Sequence, residues 1–430
     1  MNYKMTLTPE EVEILNGSQG ETMAKVIKTL VMYGDTFGAT KFVPVTGTAH
    51  LVTSFGISIL QPVFSIMDEL IAAGLKAKEG FTMDPRPIDY ANVKCNFLEK
   101  FIFNKKLYGM QNEYEVQLQK LGIIRESVAS CTCYLPEVGN VPKKGDVLSW
   151  AESSAVVYAN SVIGARCNRN SGIIELFGAI LGKVPEFDLL TDEGRKAKWI
   201  IEIKTEKTPE AQVLGSAIGL KVMEDVPYIK GLDKFLGTEL TDDVKAYLKD
   251  MGAATASNGA VGLYHVDNLT PEAVESGDAL IRDDAQVYVI DDAELKRVMD
   301  SYPNIWKKKD AKPNRCFIGC PHLTYSQLGQ WADRFEAELK KQGKTKVGLM
   351  TIMTAAPDVI ESFKKNNKPA YDKLISYGIK LSYICPLMYM NNPLCKMKPI
   401  ITNSNKLRTY TTARYFTDDE ITRIAVKGNF

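Results

Sequence analysis

Residues 314–353, NRCFIGCPHLTYSQLGQWADRFEAELKKQGKTKVGLMTIM, decide the fold class. The short apolar run Asn314–Cys320 has the length and composition of a buried strand. Thr324, with Gln327 three positions later, carries the chemistry of a helix start, and the polar–apolar stretch to Gly343 supplies the helix. Val347–Met353 then reads as a second strand. A strand, a helix and a second strand in this order make a parallel crossover unit, so the fold class is α/β.

Outward from this unit the same alternation recurs. KFVPVTGTAHLV (41–52) reads as a strand, followed by a helical stretch over 58–78. A helix is expected over NFLEKFIFNKKLYGMQNEYEVQLQKLG (96–122), leading into a strand-like ESVASCTC (126–133). KWIIEIKT, AVGLYHV and AQVYVID, the last with AELKRVMDSY behind it, continue the pattern. Thr8-Pro9-Glu10-Glu11 and Ser18 with Glu21 mark two early helix starts. FTMDPRPIDY (81–90) is a proline-stiffened loop. Around 239–262 the chain becomes polar and Gly-rich, so a second lobe over about 200–310 is expected to return to the first. The chain holds no internal repeat or low-complexity tract.

Composition excludes several classes of function. The net charge is +1 over 430 residues, with no long basic or acidic block, which gives no reason to expect nucleic acid or an acidic membrane as partner. No apolar run approaches the ~20 residues that span a bilayer, and the first residues lack a signal-peptide pattern, so a cytoplasmic location is expected. In a reducing compartment the eight cysteines lean towards metal or redox chemistry, although free cysteines are also common as small buried hydrophobes. Their spacing holds no CxxC…CxxC pair for a zinc ribbon. Only His50, His265 and His322 are present, which argues against a site built mainly from histidines.

Four segments are unusual for mere packing. In residues 129–172 a strand end is expected to carry Cys131, and a Gly/Pro-rich loop then enters a helix at Glu152-Ser153-Ser154. Glu152 and Ser153 either cap that helix or present a carboxylate and helix-start donors to a ligand, and Arg166 lies at its far end. In FIGCPHLTYSQL a strand is expected to end at Cys320, with Pro321 blocking its continuation. In KLSYICPLMYM, Cys385 again precedes a proline. In IITNSNKLRTYTTARYF a strand runs into a polar turn with Ser404 and Lys406, where a solvated helix-start lysine is the plainer reading.

AESSAVVYANSVIGAR, IGCPH, a late cysteine after a strand and TNSNK together resemble the aconitase X family, and the resemblance runs from YGDTFGA (33–39) to the last strand. That family comprises iron–sulfur dehydratases, among them a two-subunit phosphomevalonate dehydratase and a fused cis-3-hydroxyproline dehydratase. The resemblance implies an aconitase-like, multi-lobed arrangement of mostly parallel sheets with helices on both faces. One catalytic domain would span 1–430 in two or three interleaved lobes. It implies an iron–sulfur cluster, [4Fe-4S], held by Cys131, Cys320 and Cys385. Glu152, Ser153 and Lys406 would be catalytic, and Thr53, Ser54, Asp84, Pro85, Arg166 and Ser404 would bind substrate. A small subunit on a separate chain would complete the site. Three thiolates leave one iron open as a Lewis acid for hydroxide departure from a small hydroxylated acid.

Departures from the family pattern bear on substrate. Leu51-Val52-Thr53-Ser54-Phe55 stands where a Ser-Gly-Val-Ser type stretch is expected. Cys133 replaces a proline, which raises the alternative of a fourth ligand, and Cys167 replaces a threonine. Asp84 replaces an asparagine; its charge would repel phosphate and welcome an amine, favouring an amino-acid-like substrate over phosphomevalonate. The rival readings are a cluster-binding redox or iron sensor and a ligand-binding subunit without turnover. A sensor has no need of Glu152, Ser153 and Lys406 together, whereas the changes at Asp84 and Thr53 keep the ligand-binding subunit open.

Overall fold

The strand Arg315–Leu323 is buried along its whole length, as expected of an apolar run covered on both faces. It is the middle of a five-stranded parallel sheet with Met350–Ala355 and Lys380–Ser382 on one side, and Ile400–Thr402 and Arg414–Tyr415 on the other. The structure, a computed structural model, describes residues 3–52 and 56–430. A second parallel sheet, of four strands, lies between residues 197 and 290 in the order His265–Val266, Pro227–Lys230, Ala197–Ile203, Ile281–Ile290. Two smaller pairs complete the set: Ala49–Leu51 parallel to Phe81–Met83, and Phe42–Pro44 antiparallel to Lys183–Pro185.

One apolar core joins the two large sheets. It takes in Trp150 and Val156 near the middle of the chain, Ile201 and Leu248 of the second sheet's lobe, and Ile318 and Ile424 of the first's. The helix Ser153–Tyr158 lies inside that core; Ala155, Val156 and Val157 have no exposed surface. Among the described residues no helix is long and apolar enough to cross a membrane.

Several elements differ from the sequence expectations, each for a local reason. Residues 41–52 form two short strands because Thr46–Thr48 turn between two different partners. The expected helix over 96–122 is broken into Phe97–Ile102, a π-helical turn Phe103–Leu107 and Gln111–Leu121, with Ser58 bonding Gly109 at the break. ESVASCTC is not a strand: a 3-10 turn, Glu126–Val128, leads to a single bridge between Ala129 and Met83 and then a turn at Cys131. The second helix starts after Gly20 without a side-chain cap, not at Ser18, whereas Thr8 and Thr324 make full capping boxes.

The strand at Cys320 does not end at Pro321. Ile318 pairs with Met353 and Leu323 with Ala355, so residues 319–322 face Thr354 alone and bulge from the ladder before rejoining it. Thr354 Oγ1 donates to the Gly319 carbonyl and pins the start of the bulge. A proline within the bulge is tolerated because no ladder bond requires its missing N–H.

The helices Ala211–Val222 and Asp242–Gly259 cross almost backbone to backbone. A Cβ on Gly219 would lie 2.6 Å from the Thr255 carbonyl oxygen, and one on Gly215 2.8 Å from Ala254 Cβ. Gly219→Ala is therefore expected to lower the unfolding free energy by ~1–3 kcal/mol through overpacking. Leu220→Ala, on the exposed side of the same helix, should change it by less than about 0.5 kcal/mol. Urea denaturation of both variants checks the pair, and equal effects would mean that the helices can separate freely.

Candidate functional site

Six stretches of chain close around one small cavity. Its walls include Asp84, Pro85, Cys131, Glu152, Cys320, His322, Cys385 and Lys406. The bridge of Ala129 to Met83, with Ser130 N–H donating to the Met83 carbonyl at 2.8 Å, brings Cys131 beside the Asp84 turn. The bulge in the central strand carries Cys320. Cys385 caps the short helix Pro386–Met390, and its N–H donates to the Arg86 carbonyl at 2.9 Å. Burial pushes all three thiols up from their ordinary range, with Lys406 pulling each back down.

Glu152 caps the buried helix Ser153–Tyr158: its Oε2 accepts from Ala155 N–H at 2.7 Å and from Ser154 Oγ at 2.6 Å. Its other oxygen pairs with Lys406 Nζ. The capping reading of Glu152 holds, and the same side chain also lines the cavity. Lys406 is not a solvated helix-start residue. It is 7% exposed at the second position of Asn405–Tyr410, with Ser153 Oγ 3.4 Å from its Nζ. Burial opposes the charge of each partner. Their mutual attraction outweighs it, holding the Glu152 carboxyl below its usual range and the Lys406 ammonium above its own.

Asp84 does not stand alone. His50 Nε2 lies 3.2 Å from Asp84 Oδ1, and His50 Nδ1 lies 2.9 Å from Thr82 Oγ1. Burial raises the Asp84 carboxyl against the pull of His50. For His50, burial is outweighed by Cys133 and Asp84, and its pKa is pushed up to about 10. The Asp84 carboxyl therefore faces the cavity with a buried imidazole hydrogen-bonded to it. Asp84 is thus not the lone carboxylate from which an amine-bearing substrate was expected.

Other expected site residues lie elsewhere. Arg166 does not line the cavity; its guanidinium is engaged by Asp192 and the Leu190 carbonyl at the far end of the Glu152 helix. Ser404 is buried below the cavity, capping the Lys406 helix and donating to the Cys320 carbonyl, so it positions both neighbours from behind. Thr53 and Ser54 lie outside the described residues. Cys133 is buried in the core beside His50 and does not line the cavity.

Sequence reasoning missed the buried polar residues that brace these walls: His50, His322, Lys249 and Glu175. Histidine is scarce in this chain, and one sits two residues after Cys320, which was the available signal for His322. Its Nε2 lies 3.1 Å from the Ile384 carbonyl and its Nδ1 3.0 Å from Ser130 Oγ. Burial lowers its pKa to about 4. Glu175 has no such signal. It lies in the first turn of Ile174–Leu181 and accepts from Val52 N–H at 3.1 Å, while its second oxygen is buried without a hydrogen-bond partner among the described residues.

Comparison with known proteins places these residues in context. The family described as "Aconitase X first domain" matches residues 4–193, and "Aconitase X second domain" matches 197–300. The large subunit of phosphomevalonate dehydratase from Thermococcus kodakarensis is 34% identical over 76% of this chain and 77% of its own. Cis-3-hydroxy-L-proline dehydratase from Hypocrea jecorina is 29% identical over 47% of this chain and 33% of its own. The crystal structure of Thermococcus kodakaraensis aconitase X in its holo form superposes with a TM-score of 0.79 at 29% identity, covering 98% of this chain and all of that one.

The buried Glu175 carboxyl gives a pH test. Burial pushes the Glu175 carboxyl up from 4.5 to about 8, so the folded chain holds this proton more tightly than the unfolded chain does. Stability from this group is full below pH 4.5 and is lost as pH rises through about 8. Glu175→Gln, which keeps an acceptor for Val52 N–H, should remove that loss. The variant should be more stable than the parent by about 4 kcal/mol at pH 8 and nearly equal to it near pH 4.5, read by urea denaturation. A constant difference at both pH values would mean that Glu175 is charged in the folded protein.

Proposed function

Because this chain belongs to the aconitase X family, whose named relatives are dehydratases, we propose that it is a hydro-lyase removing water from a small 3-hydroxy carboxylic acid. The observation that carries the reading is the closure of Cys131, Cys320, Cys385, Glu152 and Lys406 around one cavity. Among the described residues no three metal-ligating side chains converge closely enough for a single ion. Thiols spread around a cavity wall fit a multi-iron group instead, and the all-thiol donor set is that of an iron–sulfur cluster. Cys131, Cys320 and Cys385 would hold it, and when bound it supplies an open iron that acts as a Lewis acid on the departing hydroxyl.

The chain's own residues do the rest. Dehydration breaks a C2–H bond and the C3–O bond and forms a C2=C3 double bond; the hydroxyl leaves with its electron pair and takes a proton to become water. Lys406 meets the substrate carboxylate, where negative charge accumulates as the C2 proton leaves. Glu152, itself held as a carboxylate, keeps Lys406 charged inside the protein and can accept a hydrogen bond from the substrate hydroxyl, while the proton that turns the departing hydroxide into water comes from solvent. Ser153 Oγ, beside Lys406 Nζ, orients the carboxylate. Asp84 and Pro85 shape the opposite wall. The base that takes the C2 proton comes from a small partner chain, an arrangement supported by the naming of the relatives that span three quarters of this chain as large subunits.

Anaerobic preparation with the small subunit tests this. Single Cys→Ser changes at 131, 320 and 385 should each remove most of the iron, whereas Cys95→Ser and Cys395→Ser should retain it; equal iron in all five variants would overturn the ligand set. Asp84→Asn tests whether His50 compensates the Asp84 charge. A bare unit charge ~4 Å from a phosphate is worth about 4 kcal/mol, or roughly a thousandfold. With His50 compensating, the kcat/KM ratio of phosphomevalonate to cis-3-hydroxyproline should change by less than about tenfold. A change of a hundredfold or more would show that Asp84 acts as an uncompensated charge.

A further inference from the structure

His322 links all three thiol-bearing segments. Its Nε2 lies 3.1 Å from the carbonyl of Ile384, the residue before Cys385. Its Nδ1 lies 3.0 Å from the hydroxyl of Ser130, the residue before Cys131. Its own backbone belongs to the bulge that carries Cys320, and its N–H donates to Cys131 Sγ at 3.4 Å. A carbonyl can only accept, so Nε2 carries the hydrogen; in the neutral ring Nδ1 then accepts from Ser130 Oγ–H. Ser130 Oγ is in turn fixed by Thr132 N–H at 3.1 Å. From the other side Lys249 Nζ donates to the His322 carbonyl at 3.0 Å, so backbone and ring are both anchored.

We propose that His322 is a positioning residue that preassembles the three-cysteine cradle, setting the spacing of Cys131, Cys320 and Cys385 before any cluster is bound. The inference rests on the cluster-binding reading above and adds a residue that is not itself a ligand. Cys131 and Cys385 lie on a turn and a helix cap, neither of which has a sheet ladder to fix it, so the position of each depends on such cross-links. With the imidazole in place, the cradle does not have to be gathered when iron and sulfide arrive. Loss of this kind of support behind a metal ligand typically weakens metal retention ~10–100-fold.

The test uses His322→Ala, His322→Asn and His322→Gln in the full chain. A shorter amide stands in for Nδ1 and a longer one for Nε2, so Asn keeps the Ser130 tie and Gln the Ile384 tie. Loss of cluster to a chelator, followed by absorbance and iron content, should be fastest in Ala by ~10–100-fold and intermediate in Asn and Gln. Ser130→Ala should accelerate loss in the parent but add nothing to His322→Gln, whose Ser130 tie is already gone. In the iron-free protein, hydrogen exchange should rise together in the Cys131 and Cys385 segments of His322→Ala, although neither is altered in sequence. If the parent itself takes up no iron and sulfide, the cluster reading fails while the exchange comparison still judges the tie. If the parent loads and His322→Ala matches it in retention and exchange, the proposal is overturned.

Discussion

A lysine ammonium and a glutamate carboxylate, 254 positions apart in the chain, are buried against each other in this protein, and neither is tenable there alone. Stranding one such charge costs ~3–5 kcal/mol, a large share of the stability of any fold. The pair therefore obliges the start of the Asn405–Tyr410 helix to meet the start of the Ser153–Tyr158 helix. Everything around the cavity follows from that meeting: Ser404 reaches the Cys320 carbonyl, and the cysteine bulge lies beneath the ammonium.

Much of this was legible in the sequence because it depends on local chemistry. Thr8-Glu11 and Thr324-Gln327 announce their helices through caps that need no tertiary context. The apolar run Arg315–Leu323 announces a strand covered on both faces. The motif-bearing residues Cys131, Cys320, Cys385, Glu152 and Lys406 were named beforehand, and the fold brings them to one cavity. What the sequence hid depends on partners far along the chain. The bulge at 319–322 arises from pairing with Thr354, so a proline after Cys320 reads as an end when it is a detour. The break in the helix over 96–122 owes to Ser58, and Glu175 meets Val52 across 123 positions.

Charge shows the same division. Asp84 read alone is a negative group in a substrate pocket, and that reading ruled substrate preference. Paired with His50, which is buried 34 positions earlier, it is one half of a hydrogen-bonded pair. Arg166 shows the converse, a cation that looks available in the motif yet is spent on Asp192. Motif residues reveal which side chains are present; only the fold reveals which have charge to spare.

The glycine-packed pair of helices has a mechanical consequence. Asn405 N–H donates to Gln212 Oε1 at 2.9 Å, at the root of the helix Ala211–Val222. The second helix, Asp242–Gly259, holds the cysteine bulge through Lys249 and the His322 carbonyl. Because backbones meet at Gly215 and Gly219, no side chain is available there to flex between them. The two helices thus behave as the tines of a fork cast in one piece, one under the ammonium and the other under the thiol. Any rocking of that pair carries both tips together, so the gap between the Lys406 ammonium and the Cys320 bulge is gauged by the fork and not by the loops that line the cavity.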